Sequence, residues 1–272
     1  MTEPRPFAPS GTLRAHGYRV LWRCAEGFLK AANACLYLAV GLLRPDDLRT
    51  ASQLRWRHFG TPAVDDVEVG LDAWERRLYG DVLRAADRVL LVACGAGRDL
   101  VALRELGYDV TGLEPTPELV NLARELVARR GLNVAVCAGF IETWNLDDNY
   151  DVVIFSSGCY SFVPQAASRV ATLARIKTHL APEGRIVITY LEFRQQSSLS
   201  IALMRASAGV ANSGWRPERG DCFSRDHLAR RVLRYEHAFR PGDVARECAD
   251  AGLRVVRDEG MGSGLRCTVA VV

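Results

Sequence analysis

The sequence predicts an α/β fold: a doubly wound, mostly parallel sheet with an N-terminal helical lid. Three observations predict it. From Val89 onward, short apolar runs alternate with amphipathic helix patterns, the mark of βαβ units and a parallel sheet. A tight turn, Gly95-Ala96-Gly97, separates the first such run from the first helix, at the carboxyl edge where open sheets bind ligands. The chain closes with two strand patterns, Leu253–Asp258 and Arg266–Val272, near enough in sequence to pair antiparallel.

Each element can be justified in order. Residues 1–11 are polar and Pro-rich and predict an extended tail. Thr12 to Phe59 reads as helix, broken at Gly41 and at Arg44-Pro45-Asp46-Asp47, whose two carboxylates suit a helix start. Gly60-Thr61-Pro62 ends this block. Leu71, Trp74, Leu78 and Val82 then recur at helical spacing, giving a helix that can lie on a sheet. Val89–Cys94 is continuously apolar, as a strand buried on both faces must be. A helix follows to Leu106 and stops at Gly107. Asp109–Leu113, Asn133–Ala138, Asp151–Phe155 and Arg185–Leu191 are the next strands. Pro117–Arg130 and Gln165–Leu180 are the helices among them, the latter stopped by Pro182-Glu183-Gly184. Glu192 to Phe239 is polar, Arg-rich and too long for an ordinary connection. An Asp243–Ala251 helix and a turn with Gly260, Gly262 and Gly264 complete the chain. The domain organisation is therefore a lid over 1–70 and a core over 71–272, with an insertion at 192–240 above the active site.

Composition narrows the function. Apolar residues make up 49% and charged residues 25%, ordinary for a domain with a real core. A net charge of +3 is too small to require a polyanionic partner, so nucleic acid is disfavoured. The cluster Arg49, Arg55, Trp56, Arg57, His58 reads as a solvated helix face. Eight cysteines without a CxxC, and without histidine at ligand spacing, predict no metal site and no disulfide framework. They fit a cytoplasmic protein. Ala34–Leu43, the longest apolar run, is about half the ~20 residues of a membrane-spanning helix, and the N-terminus has no signal-peptide pattern. A homodimer is left open.

The chemistry-bearing residues cluster at the carboxyl ends of the first strands. Gly95 and Gly97 let the backbone turn tightly and approach a ligand beside a helix N-terminus. Glu114 ends the second strand at about the 20-residue spacing from which a carboxylate accepts both ribose hydroxyls. A dinucleotide fingerprint would place a third small residue at position 100, where Leu100 stands, and no GK[ST] follows the turn. An adenosine without phosphate fits what remains. A tight turn and an exposed strand-end charge are the alternatives to weigh against it.

Val89–Asp99 with Gly112-Leu113-Glu114-Pro115 resembles the opening segments of class I S-adenosylmethionine-dependent methyltransferases. The likeness continues through Tyr150–Phe155 and Leu180-Ala181-Pro182-Glu183-Gly184-Arg185, so it spans about Arg88 to Leu191. It implies a seven-stranded sheet with an antiparallel last strand and S-adenosyl-L-methionine as methyl donor. On that resemblance Cys94, Gly95, Ala96 and Gly97 would flank the methionine and ribose, and Glu114-Pro115 the ribose. Phe140, Ile141 and Glu142 would hold adenine, with Phe140 where the family commonly has an acid. Ser156, Ser157 and Tyr160 would border donor and acceptor. Leu91 stands where the first strand commonly carries an acid for the donor's amino group, and Ala93 where a glycine is common.

The implied activity is methylation of an O, N or S atom on a small-molecule acceptor. A tRNA or protein methyltransferase and a donor-binding, non-catalytic partner subunit are the alternatives. A hydroxyl acceptor needs a base. His237, in a stretch resembling the family's His-x-Phe pocket wall, is the first candidate, Glu192 the second, and Tyr160 the remaining catalytic candidate; packing is the competing role for His237 and Tyr160.

Overall fold

The computed structural model describes residues 13–59, 70–146, 149–193, 196–225, 233–262 and 264–272. The tail at 1–11, the Gly60-Thr61-Pro62 break and His227 lie outside them. Contacts divide the chain into two compact units, Met1–Leu43 with Ser197–Pro217, and Arg44–Gln196 with Glu218–Val272.

In the first unit, helix α1 (Leu13–Gly41) packs on α7 (Ser198–Ala211). The last residue of α1, Gly41, carries no side chain where a Cβ would collide with Ser207 Oγ and the Met204 carbonyl. Ser197 caps α7, its Oγ accepting from Leu199 N at 3.3 Å.

The second unit holds the sheet. Helix α2 (Pro45–Phe59) opens with proline and two aspartates and ends with Arg57 and His58, as the helix dipole favours. It belongs by contact to the sheet unit, although its sequence is continuous with the N-terminal block. Helix α3 (Ala73–Val82) follows, then β1 (Arg88–Val92), α4 (Arg98–Glu105), β2 (Asp109–Glu114), α5 (Pro117–Arg129), β3 (Ala135–Ala138) and β4 (Tyr150–Phe155). The rest of the unit is α6 (Ala166–Lys177), β5 (Leu180–Glu192), β6 (Asp221–Arg225), β7 (Leu233–Phe239), α8 (Asp243–Asp250), β8 (Arg254–Gly262) and β9 (Leu265–Val271).

Strands β3-β2-β1-β4-β5 pair in parallel. β9 pairs antiparallel with β5 on one side and β8 on the other, completing the expected seven strands. Period-two alternation divides β1 between two core layers. Val89 and Leu91 pack with α3, α4 and α5, while Leu90 and Val92 pack with α6 and α8.

Two strands exceed the expectation. β6 and β7 form an antiparallel hairpin inside the stretch read as an insertion, joined to the end of β5 through Leu191↔Ala238 and Glu192↔Phe239. The sheet thus has nine strands among the described residues. β8 also runs through Gly260 to Gly262, because its backbone keeps pairing with Arg266 and Leu265 of β9. No single helix among the described residues is long and apolar enough to cross a membrane.

Candidate active site

The carboxyl ends of β1, β2 and β4 open into a crevice of about 310 Å³. Its floor is the turn after β1. Ala93, Gly95 and Gly97 all have positive φ, at 57°, 56° and 100°. A Cβ on Gly97 would also press on Ala123 at 3.3 Å, so that glycine serves both the turn and the approach of α4 to α5. A Cβ on Gly95 would meet nothing within 4 Å, so its requirement is conformational.

Glu114 locks onto this turn. Its Oε2 accepts from Gly95 N at 3.1 Å and its Oε1 from Thr116 N at 2.8 Å. The side chain lines the crevice yet is only 4% exposed. Burial pushes its pKa up, against the pull of the Thr116 and Gly95 donors. Each oxygen has a lone pair to spare for a ligand hydroxyl. Ser156, after β4, ties the strand ends together by donating to the Val92 and Ala93 carbonyls, each at 3.2 Å. Ser156 and Ser157 both line the crevice, as do Cys94, Ala96 and Pro115.

Phe140, Ile141 and Glu142 form a wall of the same crevice. The Phe140 carbonyl accepts from Thr143 N and Trp144 N, closing a turn. Arg175 fastens it from α6 by donating to the Ile141 and Trp144 carbonyls. Glu142 Oε1 accepts from Arg49 Nε at 3.2 Å.

Arg49 comes from α2, which lies over the crevice. Arg49, Ser52 and Trp56 line it, and Gln53 Nε2 donates to the Pro115 carbonyl at 2.7 Å. The reading of this helix as a solvated basic face holds for Arg57, half-exposed and paired with Glu118 at 2.9 Å, but not for Arg49, Arg55 or Trp56. Arg55 is buried over the Trp56 ring, 4.8 Å from its centroid, and 3.7 Å from Glu236. The signal was present in the spacing, since 49, 52 or 53, and 56 share one helix face.

The structure places the three catalytic candidates elsewhere. None lines the crevice. Tyr160 is fully buried, stacked on Phe239, and its hydroxyl donates to Glu247 Oε2 at 2.8 Å. His237 is 3% exposed, with Nδ1 2.8 Å from Asp221 Oδ1. Glu192 faces Arg266 at 3.4 Å. The reason is strand alternation: the stretch around His237 is β7, which turns Tyr235, His237 and Phe239 inward together. Arg169 joins both buried candidates into one network, meeting Glu247 at 2.7 Å and Glu218 at 2.8 Å. Glu218, Asp221 and His237 gather within 4.8 Å of one another. Their oxygens are already taken by Arg169, Ala166 N, Tyr235 and Glu218 N. Arg169 already supplies a cation to Glu218, at 2.8 Å.

A seven-strand core within the sheet with β9 alone antiparallel in it, a glycine turn after β1 and a carboxylate closing β2 together define the class I methyltransferase fold. Comparison with known proteins agrees. Residues 89–184 match the methyltransferase domain family. TehB of Haemophilus influenzae, named for S-adenosyl-L-methionine-dependent methyl transfer, is 32% identical over 82 residues, 28% of this chain and 29% of that protein. YqeM of Bacillus subtilis, named as a methyltransferase, is 24% identical over 131 residues, 48% of this chain and 51% of that one. The chain therefore spans about half or less of the curated relatives it matches. Among solved structures, an S-adenosylmethionine-dependent methyltransferase from Methanosarcina mazei superposes with a TM-score of 0.57 at 18% identity, over 74% of this chain and 98% of that one.

Proposed function

We propose that this chain transfers a methyl group from S-adenosylmethionine to a nitrogen or sulfur atom of a small metabolite. The observation that carries the donor half is Glu114, a buried carboxylate lining the crevice and bonded to the turn that floors it. Gly95 leaves room for the donor, Gly97 makes the turn that floors it, Glu114 accepts its ribose hydroxyls, and Phe140, Ile141 and Glu142 border its adenine. The donor supplies an electrophilic methyl group on a sulfonium. The chain's own contribution is to hold the two reactants in line in a dry cleft, which supplies most of the acceleration in such a displacement.

The acceptor reading rests on the titratable groups of the crevice. Among the described lining residues, Glu114 and Glu142 are engaged by backbone or Arg49 donors. Cys94 and Cys159 are held as neutral thiols by burial. The remaining lining acid, Asp99, is ion-paired with Arg98 at 2.6 Å, so the described lining offers no carboxylate or ionised thiol free of a cation or backbone donor to deprotonate a hydroxyl. An amine or a thiol that ionises in solution needs no such base, so N and S acceptors are favoured over O. Trp56 and Phe162, edge to face at 5.6 Å, give the crevice an aromatic wall suited to a flat or apolar acceptor. Helix α2 serves as the cover. All eight cysteines are free, consistent with a reducing, cytoplasmic setting.

A labelled-methyl transfer assay against fractionated small-molecule, tRNA and protein pools tests this reading. Label should enter an amine or thiol in the small-molecule pool. Label confined to tRNA or protein would overturn the acceptor class, and tight donor binding without transfer to any pool would leave a binding subunit instead.

A further inference from the structure

Leu91, the β1 side chain facing α3 and α4, is fully buried apolar core, so the first strand offers no acid to a cation in the crevice. A different carboxylate stands two residues beyond Gly97. Asp99 lines the crevice and its side chain is 6% exposed. Its Oδ1 accepts from Arg98 Nε at 2.6 Å, while Oδ2 is buried and accepts from no group among the described residues. An orphaned buried oxygen of this kind is rare in native structures and calls for a missing partner.

The charges around it do not balance either. Asp72, Glu75 and Asp99 share the single guanidinium of Arg98, at 3.7, 2.5 and 2.6 Å. Glu75 is wholly buried, and burial first, then the charge of Asp99, pushes its pKa up. Burial pushes Asp99 up as well. Among the described residues the cluster has no second cation that can also donate a hydrogen bond. The donor carries two cationic groups. Its sulfonium has no proton to give, whereas its ammonium has three N–H donors. The adenosine end is taken up by Glu114 and by Phe140–Glu142, which leaves the amino-acid end for the start of α4.

We propose that Asp99 receives the ammonium group of the donor, a positioning contact that replaces the acid absent from β1. This rests on the donor reading above.

The test is a calorimetric cycle on the full chain, pairing wild type and Asp99→Asn with S-adenosylhomocysteine and its desamino analogue. Wild type should bind the analogue at least about tenfold more weakly, the worth of one bond between charged groups. In Asp99→Asn the parent should weaken to within about threefold of the analogue, whose own affinity stays put. A merely structural Asp99 would weaken both ligands alike and leave their ratio unchanged, which overturns the inference, as does an analogue that binds wild type as tightly as the parent. Should Asp99→Asn fail to fold, Asp99→Glu keeps the charge and misplaces it, and the same ratio decides. Wild type that binds neither ligand would overturn the donor reading itself, and this inference with it.

Discussion

Replacing Glu114 by alanine is the sharpest perturbation of the donor site. The carboxylate has two tasks in the structure. It satisfies two backbone donors, Gly95 N at 3.1 Å and Thr116 N at 2.8 Å, and in the proposed complex it accepts the ribose hydroxyls. Bonds to a charged group contribute about 1.5–3 kcal/mol, so losing the ribose contact should weaken the donor by roughly 10- to 150-fold. The backbone donors add a separate effect on stability, since a buried N–H left unpaired costs about 1–3 kcal/mol. The two effects are separable. Urea unfolding without ligand reads the second, and calorimetry with S-adenosylhomocysteine on the folded fraction reads the first. Glu114→Gln is a poorer choice, because its amide N–H₂ would face Gly95 N or Thr116 N, donor against donor. If Glu114→Ala lowers stability but leaves the affinity within about twofold of wild type, the carboxylate braces the turn and does not touch the donor.

Three further outcomes follow from the same geometry. Burial raises the pKa of Glu114, so its contribution to folding is present below the unfolded carboxylate value and is lost as pH rises through the folded one. Ribose binding needs the ionised form and runs the other way: donor affinity should fall on acidification, starting above the usual carboxylate range, and that dependence should be absent in Glu114→Ala; an affinity flat across the same range in wild type would contradict it. His237→Ala should destabilise the protein by about 1.5–3 kcal/mol through loss of the Asp221 contact, while turnover in the methyl assay changes less than about tenfold. A hundredfold or larger fall in turnover with donor affinity intact would restore His237 as a base. A chain truncated to begin at Asp65 removes Arg49, Gln53 and Trp56 from over the crevice. It should keep the β1–β5 circular-dichroism signature but lose methyl transfer, and full activity in it would show that α2 is not the cover.

The sheet was legible because its evidence is local. Val89–Val92 is apolar at every position as a strand buried on both faces must be, and the structure buries all four residues. Gly95, Gly97 and Glu114 were legible for a related reason, since a positive φ or a strand-end carboxylate leaves a mark at a fixed offset from the strand. The region after Glu192 was not, because what shapes it is pairing over distance. Leu233–Phe239 is short and mixed in polarity, and it is a strand through its ladders to Asp221–Arg225 and to the end of β5. Once it is a strand, the inward direction of His237 is forced, and a residue that looked like a pocket base becomes one end of the Arg169 network. The same logic explains α2. Its basic residues read as solvated in one dimension, yet Arg49 finds Glu142 ninety-three positions away and Arg55 finds Glu236. Charges whose partners lie so far along the chain look unpaired in sequence, so an Arg-rich stretch suggests a surface until the fold supplies the carboxylates. Asp99 is the converse case. Beside Arg98 it looks like an exposed ion pair of neighbours, and only burial reveals that one of its oxygens has no partner among the described residues.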